Sequence, residues 1–434
     1  MAEPTKNKTG LALILVVALF FLWALTSNLL STLIPHLKKV CQLDDLQSSF
    51  IDSAYWVGYF VMAIPAALIM KKYSYKAGIV CGLIIAAIGA ACFYPAAEVK
   101  QFSLFLGALF LIASGMSFLE TAANPYMTIL GSPEKSSQRL NFAQAFNGLG
   151  AVVSTWIISP MILSGTDYTQ EQLNAMTPAA KESYLSFEAA RVQTPYLVIA
   201  AVLLVVGLIF LAIKLPAVPE EKGTSLKLDT KVFKYKHFSW GVAAQFFYVG
   251  AQVCISSFFI RYTKYTASLT EAYINTHHLL GYLLLCFMIG RYVGTFLMTK
   301  IKPQTLLAVY SFANIALLAY CVFVGGSFGL YAMMAVEFFM SIMFPTIFAL
   351  GIKDLGDKTK MASSYMVMSI VGGAIVPLGL GYISRNINIQ VAYIVPLVCF
   401  IVVFYFGLKG YKIKHTHFEI SDNQMQMEVA DADE

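Results

Sequence analysis

The sequence predicts an all-α polytopic membrane protein with twelve transmembrane helices, arranged as two six-helix repeats. Of its 434 residues, 58% are hydrophobic and only 12% are charged. In a typical soluble domain about 45–50% of the residues are apolar and about 25% are charged. The mean hydropathy is +0.68. Long apolar stretches recur along the chain, and nearly all lysines and arginines lie between them. These three observations exclude an ordinary soluble protein.

Each predicted helix is a stretch long enough to cross the hydrocarbon core of a bilayer, which requires about 20 apolar residues. Proline and glycine occur inside several stretches, and neighbouring helices can accommodate them. The first stretch is too long for a cleavable signal peptide. In chain order the predicted helices are 10–35, 47–70, 77–97, 102–130, 139–164, 194–214, 238–261, 272–299, 304–325, 328–351, 361–384 and 390–410.

The connections predict the domain organisation. The Lys-rich segment 216–237 is a linker between an N-terminal half, 1–215, and a C-terminal half, 238–414. Short segments of the halves match at nearly constant spacing: NPYMTILG at 124–131 corresponds to FPTIFALG at 344–351. This favours a duplicated six-helix unit. A polar loop near 165–192 is expected to carry a short surface helix, and the acidic tail 415–434 is expected to be disordered.

The lysines and arginines also predict the orientation. With twelve helices both termini lie on one side, which carries 21 of these residues, against 8 on the other side. The positive-inside rule therefore places both termini in the cytoplasm.

Three carboxylates fall within the predicted helices: Asp52, Glu120 and Glu337. A charged residue at the bilayer centre costs about 2.5–3.5 kcal/mol on insertion scales, and therefore indicates a functional site. Glu120 lies in FLETAANP, 118–125, with Asn124 one helical turn later. The three carboxylates are candidate proton-coupling residues. The alternative for Glu120 is a neutral glutamate that joins helices by hydrogen bonds.

Amides, hydroxyls and aromatic residues follow single faces of several helices. Amides donate and accept hydrogen bonds as sugar hydroxyls require, and aromatic rings cover the C–H faces of a sugar. Ordinary packing is the alternative for each aromatic residue. Together with Glu120, the candidate substrate-binding residues are Trp23, Asn28, Ser31, Asn124, Gln144, Asn147, Gln245, Tyr248 and Gln252.

Other classes of function lack their motifs. There is no GxxxxGK(S/T) phosphate-binding loop, and neither HExxH nor GxSxG occurs, so ATP-driven transport and hydrolysis are disfavoured. The seven cysteines contain no CxxC pair, which favours packing roles over disulfides or metal sites. We expect no enzymatic activity, no cofactor beyond the proton as coupling ion, no bound metal and no nucleic-acid partner.

Several segments resemble the fucose:proton symporter family of the major facilitator superfamily. They include FLETAANP, RLNFAQAFNGLGA at 139–151, AQFFYVGAQ at 244–252 and FPTIFALGIKDLG at 344–356. The resemblance implies cation-coupled sugar uptake by alternating access. It also implies that Glu120 recognises the sugar and is protonated, and that Asn28, Gln144 and Asn147 contact the sugar.

One position departs from that family. Fucose symporters have an aspartate three residues after the helix 1 asparagine, whereas this chain has Ser31. Glu337 stands where a small neutral residue is expected. Three interpretations remain open: Glu337 or Asp52 has taken over part of the proton chemistry, Glu120 does it alone, or transport is uncoupled.

The sequence therefore predicts a monomeric sugar:proton symporter of the bacterial inner membrane that takes up L-fucose or a related hexose. An uncoupled facilitator or exchanger is one alternative. A transporter-like receptor that binds sugar without transporting it is another.

Overall fold

The computed structural model describes residues 6–43, 45–163, 168, 170–216, 230–270 and 279–413. The side chains of Ser31 and Asp52 lie outside the described part. So do most of the predicted linker, at 217–229, and the whole predicted tail 415–434.

The first half of the chain forms eleven helices in the described residues, and an apolar composition predicts most of them. A break at Asn28 and Leu29 divides the first predicted helix into two. A π-helical turn, Ser154–Ile158, joins α7 to α8. The helices are α1 Lys6–Ser27, α2 Leu30–Val40, α3 Asp45–Lys72, α4 Tyr75–Ala91, α5 Phe93–Val99, α6 Phe102–Ile129, α7 Ser136–Val153, α8 Ser159–Leu163, α9 Gln170–Ala175, α10 Pro178–Ala190 and α11 Gln193–Ala212.

The second half is described from Thr230 onwards. Its first helix is the longest, and a short break near Ser341 divides the predicted stretch 328–351 into two helices. The helices are α12 Lys236–Thr266, α13 Leu279–Leu297, α14 Pro303–Phe323, α15 Ser327–Met340, α16 Met343–Gly351, α17 Thr359–Met368, α18 Gly372–Asn386, α19 Ile389–Ala392 and α20 Ile394–Tyr405.

The predicted membrane helices are present. Within the described residues, eleven helical segments are long and apolar enough to cross a membrane, and Gly281–Leu297 is a shorter apolar helix. That helix corresponds to the predicted stretch 272–299, whose beginning lies outside the described part. A short surface helix is predicted in the loop near 165–192, and the structure has two short helices there, α9 and α10.

Packing within the first half depends on small residues. The helices α4 and α6 make the most extensive contact. In addition, α3 packs on α6, and α7 packs on α1. A Cβ atom added at Gly115 of α6 would lie 2.5 Å from the Gly82 carbonyl oxygen of α4. Membrane helices lack a hydrophobic driving force between them, and close approach at small residues supplies van der Waals contact instead.

The second half packs in the same manner, with α12 against α18 and α20 and with α14 against α15 and α20. Helices of the two halves also contact each other. In these contacts α7 packs on α13 and α16, and α17 packs on α3 and α6. The site described next lies where these helices meet. The division at 216–237 itself stays a prediction.

Candidate functional site

Glu120 is buried at the centre of α6, as the apolar sequence around it predicts. Its side chain is 1% exposed, and the residues from Ala113 to Thr128 are buried as well. Neither carboxylate oxygen makes a hydrogen bond within the described part of the chain. The polar side chains of Tyr59 and Asn124 face the carboxylate without completing a hydrogen bond to it. Buried polar atoms are normally bonded, so an unsatisfied carboxylate marks a place for a ligand or a proton.

An aromatic cluster borders Glu120 and consists of Trp23 of α1 with Tyr55, Trp56 and Tyr59 of α3. The Trp23 indole nitrogen donates to the Tyr59 hydroxyl at 2.7 Å, and the Tyr55 hydroxyl donates to Ser27 at 2.9 Å. Tyr55 and Trp56 meet edge to face, with ring centroids 5.9 Å apart. Hydrogen bonds to the polar ends of Trp23, Tyr55 and Tyr59 hold these three rings in place.

Sequence reasoning did not select Tyr59. The spacing could have indicated it, because Tyr59 lies one helical turn after Tyr55 on the same face of α3. In the structure, the Ser117 hydroxyl of α6 donates to the backbone carbonyl of Tyr59 at 2.8 Å.

The amides of α6 and α7 lie together. The Gln144 side chain donates to the Asn124 side-chain oxygen at 3.2 Å, and the Asn124 amide nitrogen has no partner in the described residues. Asn147 donates to the Phe20 carbonyl at 3.4 Å. Three predicted residues, Glu120, Asn124 and Gln144, therefore form one buried polar group with free hydrogen-bonding capacity.

The side-chain amide of Asn28 donates a hydrogen bond to the backbone carbonyl of Ala24, one turn earlier in α1, at 2.8 Å. It lies at the break between α1 and α2. The structure does not test the roles predicted for Ser31 and Asp52, since their side chains are not described.

The C-terminal part contributes a second buried carboxylate. Glu337 of α15 is 1% exposed, and its Oε1 accepts a hydrogen bond from Ser256 of α12 at 2.9 Å. On α12, Gln245 is fully buried with both amide atoms unpartnered in the described residues, and Gln252 is half-buried. The Tyr248 hydroxyl donates to the Met340 carbonyl at 3.1 Å.

A buried arginine, Arg291 of α13, joins the two parts of the chain. Its Nε donates to the Ser341 carbonyl and its Nη1 to the Gln144 carbonyl of α7, both at 2.8 Å. The Asn141 amide, one turn before Gln144, donates to the Thr346 hydroxyl of α16 at 3.0 Å. These bonds connect α7 to α13 and α16 of the C-terminal part.

No cluster of three or more potential metal-ligating side chains occurs among the residues that the structure describes. The described site is thus a set of carboxylates, amides, hydroxyls and aromatic rings at membrane depth. Such a set can bind a polyhydroxylated molecule and hold protons.

A multi-pass helical bundle with polar groups buried at its centre is the architecture of a membrane transporter. The Major Facilitator Superfamily model matches residues 15–368. The chain is 41% identical over 401 residues to the L-fucose-proton symporter of Escherichia coli (strain K12), which covers 91% of each chain. It is 39% identical over 414 residues to the glucose/galactose transporter of Brucella abortus (strain 2308), which covers 94% of this chain and 97% of that relative.

The structural comparison agrees. A crystal structure of the fucose:proton symporter of E. coli superimposes with a TM-score of 0.87 at 39% identity, over 94% of this chain and 100% of that one. The chain therefore belongs to the Major Facilitator Superfamily, and within it to the family of the L-fucose-proton symporter. The predicted fold class and family are confirmed.

Proposed function

We propose that the chain is a secondary sugar:proton symporter that takes up a hexose by alternating access. The observation that carries the proposal is the unsatisfied buried carboxylate of Glu120 beside Asn124 and Gln144, with an aromatic cluster at its side. The functions of the relatives, L-fucose-proton symport and glucose/galactose transport, support it.

In the proposed cycle, a proton neutralises Glu120 and the sugar binds between the amides and the aromatic cluster. The loaded carrier closes on one side and opens on the other. One proton that moves down 100 mV supplies about 2.3 kcal/mol, which sustains roughly a fortyfold sugar gradient. Glu337 and Asp52 are the further candidate proton carriers in a chain with Ser31 in place of the family's aspartate.

We further propose that the protein acts as a monomer in the bacterial inner membrane, with both termini in the cytoplasm, and that it needs no organic cofactor or metal. The excess of lysine and arginine on one side supports the orientation.

The test is the external pH of a lightly buffered, de-energised suspension of cells that express the protein. L-fucose, galactose, glucose and N-acetylglucosamine are added in turn. We expect one sugar to make the medium alkaline, because each sugar that enters takes a proton with it. The Glu120→Gln variant should lose this response, whereas Glu98→Gln, at an exposed site at the end of α5, should keep it.

Sugar entry without alkalinisation would favour the alternative of an uncoupled facilitator or exchanger. Binding without entry would favour a sugar receptor. An alkaline response that persists in Glu120→Gln would contradict the role of Glu120.

A further inference from the structure

Arg291 carries a buried positive charge that forms no ion pair with a carboxylate among the residues that the structure describes. It is 3% exposed, its guanidinium lies over the Phe287 ring at 4.5 Å, and its two hydrogen bonds end on backbone carbonyls. One of these carbonyls belongs to Ser341, beside its own helix, and the other belongs to Gln144, 147 residues away in the chain. The second bond exists only while α7 and α13 are in contact.

Glu337 is the acidic side chain that interacts electrostatically with Arg291. The two side chains attract each other electrostatically, yet no ion pair joins them in the part of the chain that the structure describes. Both lie on helices in tight contact, since a Cβ atom added at Gly290 would lie 2.2 Å from the Phe338 carbonyl oxygen. The other titratable groups that face Glu337 are Tyr248, Cys286 and Tyr393, and Arg291 alone among these neighbours is a cation.

Arg291 therefore has two competing partners. A carboxylate attracts a guanidinium more strongly than a neutral carbonyl does, and the dry interior enlarges the difference. A protonated carboxyl group exerts no such attraction.

We propose that Arg291 is a positioning residue that couples the charge of Glu337 to contact between α7 and α13. With a proton on Glu337, Arg291 holds the Gln144 carbonyl and the contact stays closed. When the O–H bond of Glu337 breaks and its proton passes to water, the new carboxylate draws Arg291 away from Gln144, and the contact opens. This inference deepens the proposed symport, because the Gln144 side chain bonds Asn124 beside Glu120.

The structure supplies a reporter for this contact. A Cβ atom at Gly148, one turn after Gln144, lies 3.8 Å from the Cβ of Met288, one turn before Arg291, which is the mean separation in a disulfide. The double variant Gly148→Cys, Met288→Cys is prepared in a background with the seven native cysteines replaced by serine. The rate of disulfide formation is measured in proteoliposomes without sugar.

The rates at about pH 6 and about pH 9 are each divided by the rate of the same pair carrying Glu337→Gln, which cancels the intrinsic pH dependence of the thiols. We expect a ratio near one at the lower pH. At the higher pH we expect about a tenfold lower ratio, the effect of losing one charge-assisted hydrogen bond. In Arg291→Gln the ratio should not change with pH. Arg261→Gln, whose arginine bonds Ser384 at the exposed surface, should behave as the parent.

A ratio that does not change with pH in the parent would overturn the proposal, as would a pH response that survives in Arg291→Gln. If Arg291→Gln fails to fold, a ratio that does not change with pH in the parent still overturns the proposal. Gln144→Ala separates this inference from the proposed function. It removes the amide of the candidate sugar site but keeps the backbone carbonyl, so it should lose sugar transport and retain the pH-dependent cross-link.

Discussion

At the scale of single residues, partners determine what a buried polar group can do. Glu120 and Glu337 are equally buried, but the first makes no hydrogen bond with a described residue and the second accepts one from Ser256. Lys39 and Arg191 bond Glu188 at 3.0 and 3.5 Å, which makes that buried carboxylate a structural one. Glu120 therefore has both carboxylate oxygens available to a ligand or a proton, whereas Glu337 has one oxygen engaged by Ser256.

His36 shows how the same burial affects stability. It lies on α2, beyond the apolar span Gly10–Ser27, and α2 packs on α10. Burial lowers the pKa of His36 from 6.5 to about 4; the negative charge of Glu188 opposes the shift, and Lys39 and Arg191 add to it. The folded protein therefore binds this proton less readily than the unfolded chain does.

Because the folded pKa lies below the unfolded one, the contribution of neutral His36 is complete above about pH 6.5 and is lost as the pH falls towards 4. We expect the free energy of unfolding to fall by about 2 kcal/mol between neutral pH and about pH 5 through this residue alone. Thermal unfolding of the purified protein at the two pH values measures it. His36→Gln should remove that part of the pH dependence, and an unchanged dependence would contradict the assignment.

At the scale of elements, close helix contact determines which glycines are essential. Both Gly107 and Gly115 lie on α6, but a Cβ atom at Gly107 meets nothing within 4 Å, whereas one at Gly115 meets backbone atoms of α4 at 2.5 Å. Backbone atoms cannot move aside as the end of a side chain can.

Gly115→Leu should therefore force α4 and α6 apart and destabilise the protein by at least about 1–3 kcal/mol, the usual cost of overpacking. Gly107→Leu, the matched control on the same helix, should have little effect. The yield of monodisperse protein after detergent extraction and its melting temperature measure both. Equal behaviour of the two variants would refute the contact between α4 and α6.

At the scale of the whole molecule, polar bonds join the helices of the two parts at a few positions. Two of these bonds join Arg291 to Gln144 and Asn141 to Thr346. In each bond one partner, Gln144 or Asn141, lies on α7. A cavity of about 590 Å³ separates the loop after α6 from the loop after α16, with Lys71, Lys353 and Lys360 in its wall. A few bonds beside open space permit one part to move against the other, as alternating access requires.

The orientation of the molecule is a further prediction at this scale. Because the side with both predicted termini carries most lysines and arginines, a green fluorescent protein fused after the last helix should fluoresce, and alkaline phosphatase fused there should be inactive. Alkaline phosphatase inserted in the loop 165–192 should be active. The opposite pattern would reverse the proposed topology.

The sequence by itself determined the class of the protein. Twelve apolar stretches predict the membrane helices because a bilayer accepts little else, and Glu120 stands out because a carboxylate at that depth is costly. The break at Asn28, the hydrogen bond between Trp23 and Tyr59 and the partners of Arg291 were decided only by the tertiary structure. Each depends on how helices distant in sequence approach one another, and the periodicity of one helix contains no information about its neighbours.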